Sequence, residues 1–289
     1  MGADPLKAAL ENAFDLTVLE LVPVRGGDIA KSFRLQTPEG PFFAKILDSP
    51  EGLQMLQAEA EGLKAISGTN TLKVPEVLGV VPLGSGGCLL MEYISPGTES
   101  RATSEALGRG LAQMHQATAP AFGWKQSNYI GSLPQENPAE TDWAVFYARH
   151  RLLPQYRMAR EQALMAREEI PDVDHMIARI SALAENARPS LLHGDLWGGN
   201  FLISDSGIPY LIDPAVYYGH AEVDLAMSLL FGGFSPHFYG AYHEMIPKKP
   251  GFDRRVKLYQ LYYLLVHLNL FGRSYYGSVS AISSALFYK

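Results

Sequence analysis

The sequence predicts an α+β protein of two lobes, in which a small antiparallel β-sheet lobe with one helix precedes a larger, mainly helical lobe. Two patterns predict this fold class. Apolar and polar residues alternate in the first part of the chain, between turn signals, whereas apolar residues recur at helical spacing in the rest. The length of 289 residues also favours two domains. We place the first lobe at 1–95 and the second at 96–289, with a hinge at 92–97.

The small lobe is predicted to run strand, strand, strand, helix, strand, strand. The helix is expected over 52–66, where Leu56, Ala60 and Leu63 follow helical spacing. Strands are expected at 19–24, 29–37, 42–48 and 88–94, with a short one between Pro75 and Gly79.

The second lobe is predicted to be helical, because Leu107, Leu111 and Met114 recur at i, i+4 and i+7. Short strands around a glycine-rich loop are expected within 191–213. Further helices are expected over 139–168, 172–187, 221–231 and 254–271. We interpret the aromatic stretch 258–276 as a core helix, with a substrate wall as the alternative. Arg149, His150 and Arg151 are expected on a surface helix, with contact to substrate or phosphate as the alternative.

Composition excludes several function classes. The net charge is −6, and no basic excess is present, so nucleic acid is not an expected partner. The single cysteine, Cys88, cannot form an intramolecular disulfide, and we expect a buried structural thiol. The N-terminus lacks the apolar region of a signal peptide, and the longest apolar stretch, 258–272, is too short and polar to span a bilayer. These features predict a cytoplasmic protein without a membrane partner, and we favour a monomer.

The segment His193-Gly194-Asp195-Leu196-Trp197-Gly198-Gly199-Asn200 carries the strongest chemical signal. An Asp two residues after a His, with an Asn five residues later, has the spacing of the catalytic loop of phosphoryl-transfer enzymes. Such a reaction needs a carboxylate to accept the hydroxyl proton, and Asp195 fits that role. Mg²⁺ needs oxygen ligands, which Asn200 and Asp213 can supply. A structural turn is the alternative for the His-Gly-Asp part alone.

Lys45 lies in the middle of an apolar strand, where an ammonium group needs a partner. Kinase-type folds place such a lysine against the α- and β-phosphates of ATP, whereas an edge-strand lysine would point to solvent. Glu59 on the following helix is the predicted ion-pair partner, and Glu61 competes with it. Gly26 and Gly27 could lay backbone N–H groups over phosphates, but they also fit a plain hairpin turn.

From about Leu6 to Leu286 the chain resembles the fructosamine kinase family, also called ketosamine 3-kinases. This family is part of the protein-kinase-like group that includes aminoglycoside and choline kinases. The resemblance is carried by HGDLWGGN and by the blocks 142–155, 213–227 and 231–252. It implies a two-lobed protein-kinase-like fold and ATP-dependent phosphorylation of O3 of the sugar of a ketosamine. The substrate would be a glycated small amine or protein lysine, and phosphorylation would make the adduct unstable and release the amine.

The resemblance also implies roles for individual residues. Asp195 would be the catalytic base, Asn200 and Asp213 would hold Mg²⁺, and Lys45 with Glu59 would position the phosphates of ATP. The hinge that reads the adenine edge would be formed by Met91, Glu92, Tyr93 and Ile94. Asp224 would brace the catalytic loop, and His193 would be its buried anchor.

Trp197, Tyr217 and His220 are candidate substrate contacts, and a sugar face could stack on Trp197. Packing against the large lobe is the alternative for each. The choice between ribulosamine, erythrulosamine and fructosamine stays open. Some relatives carry a cysteine in the glycine-rich loop that allows redox regulation, and this chain has none there. Other readings are a kinase of the aminoglycoside or choline type and a nucleotide-binding pseudokinase that serves as an interaction module.

Overall fold

A computed structural model describes residues 3–24 and 30–288 of the chain. Contacts divide the chain into two compact units. The first unit comprises Met1–Glu99 and Leu202–Asp213, and the second comprises Ser100–Phe201 and Pro214–Lys289. Gly26 and Gly27, predicted to contact phosphates, lie outside the described residues.

The first unit contains a five-stranded antiparallel sheet with the order β1-β2-β3-β5-β4. Its strands are β1 (Glu20–Val24), β2 (Lys31–Thr37), β3 (Gly40–Leu47), β4 (Val77–Leu83) and β5 (Gly86–Glu92). Its helices are α1 (Ala3–Phe14) and α2 (Gly52–Ser67). The predicted order of strands and of α2 is present. Helix α1 was not predicted, although Leu6, Leu10 and Phe14 recur at helical spacing.

Each face of this sheet packs against apolar side chains. Leu10 of α1 shares one core cluster with Ala44, Ile46 and Cys88, and Leu56 of α2 shares the other with Leu47 and Leu89. Because β5 is buried on both faces, its sequence is apolar without alternation. Cys88 is fully buried, as expected, and burial raises the pKa of its thiol to about 12.

The segment 202–213 belongs to the first unit, although the sequence analysis placed it with the helical lobe. It contains most of a hairpin of β9 (Phe201–Ile203) and β10 (Pro209–Leu211). Gly97 N donates to Ile203 O at 2.8 Å, and Leu211 N donates to Lys73 O at 2.9 Å. Both hydrogen bonds are made to backbone far away in sequence, which local patterns do not reveal.

The second unit is mainly helical. Its helices are α3 (Arg101–Met114), α4 (Trp143–Tyr147), α5 (Leu153–Glu161), α6 (Val173–Leu183), α7 (Glu222–Leu230), α8 (Pro236–Met245), α9 (Phe252–Phe271) and α10 (Tyr276–Phe287). Its short strands are β6 (Asn128–Ile130), β7 (Leu133–Gln135), β8 (Ser190–Leu192) and β11 (Tyr217–Gly219). The predicted helix over 139–168 is shorter and divided, since a π-helical turn, Ala148–Leu152, separates α4 from α5. Helices α8 and α10 were not predicted from the sequence.

Helix α9 runs through the core of the second unit, as the sequence predicts for most of 258–276. Its residues from Leu258 to Val266 are all buried, whereas Phe271 at its end is 52% exposed.

Within residues 3–24 and 30–288, no helix combines the length and the hydrophobicity that a membrane span requires.

Candidate active site

Lys45 forms two ion pairs within the first unit. Ala44 and Ile46 face the cluster that contains Leu10, so the alternation of β3 turns Lys45 to the opposite face, toward α2. There its Nζ lies 2.8 Å from Glu59 Oε2 and 2.9 Å from Asp213 Oδ1. The competing residue, Glu61, lies 3.6 Å from Lys64 Nζ instead.

The charges in this cluster stabilise the protonated lysine. Burial lowers the pKa of Lys45, but the carboxylates of Glu59 and Asp213 outweigh it and hold the pKa above its ordinary value. Burial raises the pKa of Glu59 to about 7, against the opposing charge of Lys45. Glu59 Oε1 is buried and has no hydrogen-bond partner among the described residues. The two carboxylates differ in exposure. The side chain of Glu59 is 12% exposed and contacts Lys45, whereas the side chain of Asp213 is 35% exposed and can also contact a ligand.

Asp213 is the last residue of the segment 202–213, and its backbone conformation is unusual. Its φ is +53°, in the left-handed region that residues other than glycine seldom adopt. Such conformations persist where the surrounding structure imposes them, and they concentrate at functional sites. The ion pair with Lys45 is one contact that fixes this residue.

In the second unit, Asp224 of α7 holds the backbone of the loop 193–200. Its Oδ2 accepts the N–H of His193 at 2.7 Å, and its Oδ1 accepts the N–H of Gly194 at 2.9 Å. The side chain is fully buried, so these charge-assisted hydrogen bonds replace water. This geometry is the one that a bracing role for Asp224 requires.

His115 is a further member of this network that the sequence analysis did not select. Its Nε2 lies 3.1 Å from Asp224 Oδ2, and its Nδ1 lies 2.8 Å from Tyr242 Oη. Because a carboxylate only accepts, Nε2 carries the proton and donates to Asp224. Nδ1 then accepts from the hydroxyl of Tyr242, whose pKa burial raises above its ordinary value. The only sequence signal was a histidine directly after the apolar stripe of α3.

The loop itself orients Asp195, which is half-buried. Asn200 Nδ2 donates to the backbone carbonyl of Asp195 at 2.8 Å and to its Oδ2 at 3.1 Å. The N–H of Asp195 donates to Nδ1 of the fully buried His193 at 3.2 Å. His193 thus holds the backbone of Asp195, and Asn200 holds its carboxylate. The five-residue spacing from Asp195 to Asn200 makes the second contact possible.

Gly194 occupies a position where a side chain does not fit. Its φ is +84°, and a Cβ there would lie 2.0 Å from the carbonyl oxygen of Ala215. Ala215 N also donates to His193 O at 2.8 Å, so the two segments are held against each other. On the same loop, Tyr263 of α9 donates its hydroxyl proton to Gly194 O at 2.8 Å.

Trp197 is exposed, while the residues after it pack closely. Its side chain is 41% exposed, and its ring lies against Gly199. Gly198 abuts the pair Gly232 and Gly233, since a Cβ on Gly198 would lie 3.0 Å from the Cα of Gly233. Trp197 therefore keeps the accessibility that a sugar contact needs.

The side chain of Tyr217 is fully buried, which supports the packing alternative for this residue. The guanidinium carbon of Arg151 lies 4.0 Å from the centre of that ring. Arg151 is itself fully buried, so the expectation of a surface helix was wrong for this residue. Its hydrogen bonds go to Glu136 O, His150 O and Asn137 Oδ1, and cation–π contact supplements them.

His220 is packed among aromatic side chains. Its Nδ1 lies 2.8 Å from Tyr259 Oη, which also accepts the indole N–H of Trp143 at 3.1 Å. Because Tyr259 Oη accepts from Trp143, its own proton is available to donate to Nδ1 of His220. Burial lowers the pKa of His220 to about 3, and the positive charge of Arg255 adds to this effect. These contacts support the packing alternative for His220.

The predicted hinge residues span the end of β5, since Met91 and Glu92 are its last two residues and Tyr93 and Ile94 follow it. Met91 is buried, and the N–H of Glu92 donates to Glu76 O at 2.8 Å. Contact of the backbone with an adenine edge stays a prediction for Met91, Glu92, Tyr93 and Ile94.

We predict that Gly194→Ala destabilises the protein by about 2 kcal/mol or more, because a non-glycine residue is strained at this φ and the new methyl group meets Ala215 O. Urea unfolding measures the change. Gly240→Ala is the matched control: Gly240 lies in α8 with no atom within 4 Å of a new Cβ. That variant should be stabilised by about 0.5–1 kcal/mol. Equal stability of the two variants would contradict the account of the loop.

We predict that His220 makes the protein less stable as the pH falls. The unfolded chain binds a proton on His220 below about pH 6.5, while the folded chain does not until about pH 3. Stability therefore falls with pH through this window, by up to about 2 kcal/mol at pH 5. Urea unfolding at pH 7.5 and pH 5 should show a smaller loss for His220→Gln. The exposed His175→Gln is the control, and an equal loss in all three proteins would refute the prediction.

Comparisons with known proteins identify the family of this chain. A family model for fructosamine kinase matches residues 3–287. A protein-ribulosamine 3-kinase of Arabidopsis thaliana is 40% identical over 290 residues, covering 98% of this chain and 87% of the relative. A ketosamine-3-kinase of Mus musculus is 38% identical over 280 residues, covering 88% of this chain and 90% of the relative.

Solved structures share the fold. A candidate fructosamine-3-kinase from Thermobifida fusca is 31% identical, covers all of both chains and has a TM-score of 0.86. A spectinomycin phosphotransferase at 13% identity has a TM-score of 0.62, covers 99% of this chain and 92% of the neighbour, and shows the fold alone. The α+β, protein-kinase-like fold class is therefore confirmed. The chain belongs to the fructosamine kinase family.

Proposed function

We propose that this chain is an ATP-dependent kinase that phosphorylates O3 of the sugar of a ketosamine, on a small amine or a protein lysine. The observation that carries the proposal is the similarity, over nearly the whole chain, to relatives named protein-ribulosamine 3-kinase and ketosamine-3-kinase. Phosphorylation would make the adduct unstable, so the amine would be recovered. A cytoplasmic location and a monomeric state stay predictions.

Asp195 is proposed as the group that accepts the proton of the sugar hydroxyl. A hydroxyl is a weak nucleophile, and a carboxylate in hydrogen-bond reach orients it and removes its proton during transfer. The two hydrogen bonds from Asn200 Nδ2 support this role, because they fix the plane of the carboxylate. Asp224 supports it indirectly, by holding the backbone of His193 and Gly194.

Lys45 is proposed to bind the phosphates of ATP. Its ammonium has three N–H donors, and two of them serve Glu59 and Asp213. The third can donate to a phosphate oxygen. The contact with Glu59 sets the position of the ammonium, and the two carboxylates keep it charged.

Asn200 and Asp213 are proposed to hold Mg²⁺, and their chemistry fits that ion. Asn200 directs its Nδ2 to Asp195, which leaves its amide oxygen as the end available for a cation. Asp213 offers a partly exposed carboxylate. Mg²⁺ prefers such oxygen ligands together with phosphates and water. When bound, it supplies positive charge that offsets the charge of the transferred phosphoryl group.

A panel of acceptor alcohols tests the proposed function. ATP consumption is measured with ribulosyl-lysine, fructosyl-lysine, choline and an aminoglycoside. We expect turnover with at least one of the two ketosamines and none above background with the other two. Turnover confined to choline or the aminoglycoside would refute the ketosamine assignment. ATP binding without turnover of any alcohol would favour a pseudokinase.

We predict that Lys45→Met lowers kcat/KM for ATP by about 100-fold or more, because a charged donor to the phosphates is lost. The fold should survive, since Glu59 can take up a proton once its counter-charge is gone. Steady-state kinetics and a melting curve measure both effects. Lys64→Met is the matched control, because Lys64 is 62% exposed and its ion pair with Glu61 lies on the surface. A change of less than twofold in Lys45→Met would contradict the assigned role.

A further inference from the structure

Four aromatic rings form a cluster on the surface of the second unit, which we term the aromatic cluster: Phe231, His267, Phe271 and Tyr275. The ring of His267 lies at its centre, 4.6 Å from Phe231, 5.4 Å from Phe271 and 5.2 Å from Tyr275. Phe231 is 43% exposed and Phe271 is 52% exposed. Large apolar side chains that touch one another at the surface mark binding surfaces more often than scattered ones do.

The sequence brings these rings together through helix spacing and two glycines. His267 and Phe271 are four residues apart, so they share one face of the last turns of α9. Gly272, with a φ of +85°, turns the chain and returns Tyr275 to that face. Phe231 follows α7 directly and precedes Gly232, which has a φ of +74°.

The aromatic cluster adjoins the loop that carries Asp195 on two sides. Tyr263 of α9 donates to Gly194 O, and its own carbonyl accepts from His267 Nδ1 at 2.7 Å, one helical turn further on. The cluster thus begins about 6 Å along α9 from the loop contact. On the other side, the glycines that follow Phe231 abut Gly198, as described above.

The chemistry of the cluster suits an organic cation. His267 Nδ1 must donate to the carbonyl of Tyr263, so Nε2 has the lone pair in the neutral ring. Burial lowers the pKa of His267, which favours that neutral form. The neighbouring Arg273 does not occupy the cluster, because its guanidinium lies over Tyr276 at 5.0 Å. Aromatic faces without a cation of their own attract ammonium groups.

We propose that the aromatic cluster binds the amine part of the ketosamine, namely the secondary ammonium group and the methylene chain of the modified lysine. This inference rests on the proposed function and deepens it. In a ketosamine the nitrogen is attached to C1 of the sugar, two carbons from C3, and it is protonated at neutral pH. A sugar hydroxyl presented to Asp195 would therefore leave the ammonium a short distance away, where an adjoining subsite can receive it.

The inference can be tested with two acceptors that differ at one atom, a protonated nitrogen in one and an uncharged ether oxygen in the other. One is ribulose linked through nitrogen to a hexyl chain, and the other is ribulose linked to the same chain through an ether oxygen. KM and kcat are measured for the unmodified chain, Phe231→Ala, Phe271→Ala and Phe271→Leu. Phe271→Leu keeps an apolar side chain but has no aromatic face. Tyr288→Ala is the control, because Tyr288 is 55% exposed and lies outside the cluster.

We expect each of the three cluster variants to raise KM for the nitrogen-linked acceptor by about two- to fivefold, with kcat nearly unchanged. KM for the ether should change much less, and Tyr288→Ala should behave like the unmodified chain. An unchanged KM in active cluster variants would overturn the inference and leave the proposed function intact. An equal rise for both acceptors would overturn the assignment to the ammonium group. If the unmodified chain phosphorylates neither acceptor nor ribulosyl-lysine, the proposed function fails, and the inference fails with it.

Discussion

The carboxylate of Asp224 holds the start of the loop 193–200, and the placement of Asp195 depends on it. It is fully buried, and it accepts hydrogen bonds from the backbone of His193 and Gly194 and from the ring of His115. Each bond to a charged acceptor contributes about 1.5–3 kcal/mol. The same contacts fix the residue that precedes Asp195. Stability and the placement of the proposed catalytic base therefore depend on one side chain.

In the first unit, strand alternation has a comparable effect. It turns Lys45 away from the face that carries Ala44 and toward α2, where Glu59 and Asp213 lie within ion-pair distance. Neither carboxylate is near Lys45 in sequence. A charged lysine in an apolar strand is tolerable because two acids neutralise it, and the same charge is suited to bind phosphate. Burial raises the free-energy cost of these charges, but it also strengthens the electrostatic attraction between them.

Local patterns were sufficient to predict the strands of the first unit, helix α2 and the loop 193–200. The pairing of Lys45 with Glu59 instead of Glu61 also followed from the sequence, because Glu59 borders the apolar stripe of α2. Contacts between distant segments could not be predicted in this way. His115 meets Asp224 across 109 residues, and its place after the apolar stripe of α3 does not indicate this partner.

Arg151 shows a different limit of sequence reasoning. An arginine beside Arg149 and His150 is most simply placed in solvent, but Arg151 lies in the core because Tyr217 and Phe146 cover its guanidinium. The end of α9 shows the converse. Its aromatic composition predicts burial throughout, yet Phe271 is exposed, since the helix ends where Gly272 turns the chain. Composition alone does not distinguish a core ring from a ring that can receive a ligand.

The proposed function requires Asp195 for phosphoryl transfer from ATP to a sugar hydroxyl of a ketosamine. Phosphorus NMR of a reaction with ribulosyl-lysine, ATP and Mg²⁺ tests it most directly, together with an assay for released lysine. We expect one sugar phosphate ester for each ATP consumed. Free lysine and inorganic phosphate should follow, as the ester is eliminated and the adduct hydrolyses. We expect kcat to fall by about 100-fold or more in Asp195→Asn. ATP consumed without a sugar phosphate, or full activity of Asp195→Asn, would contradict the account.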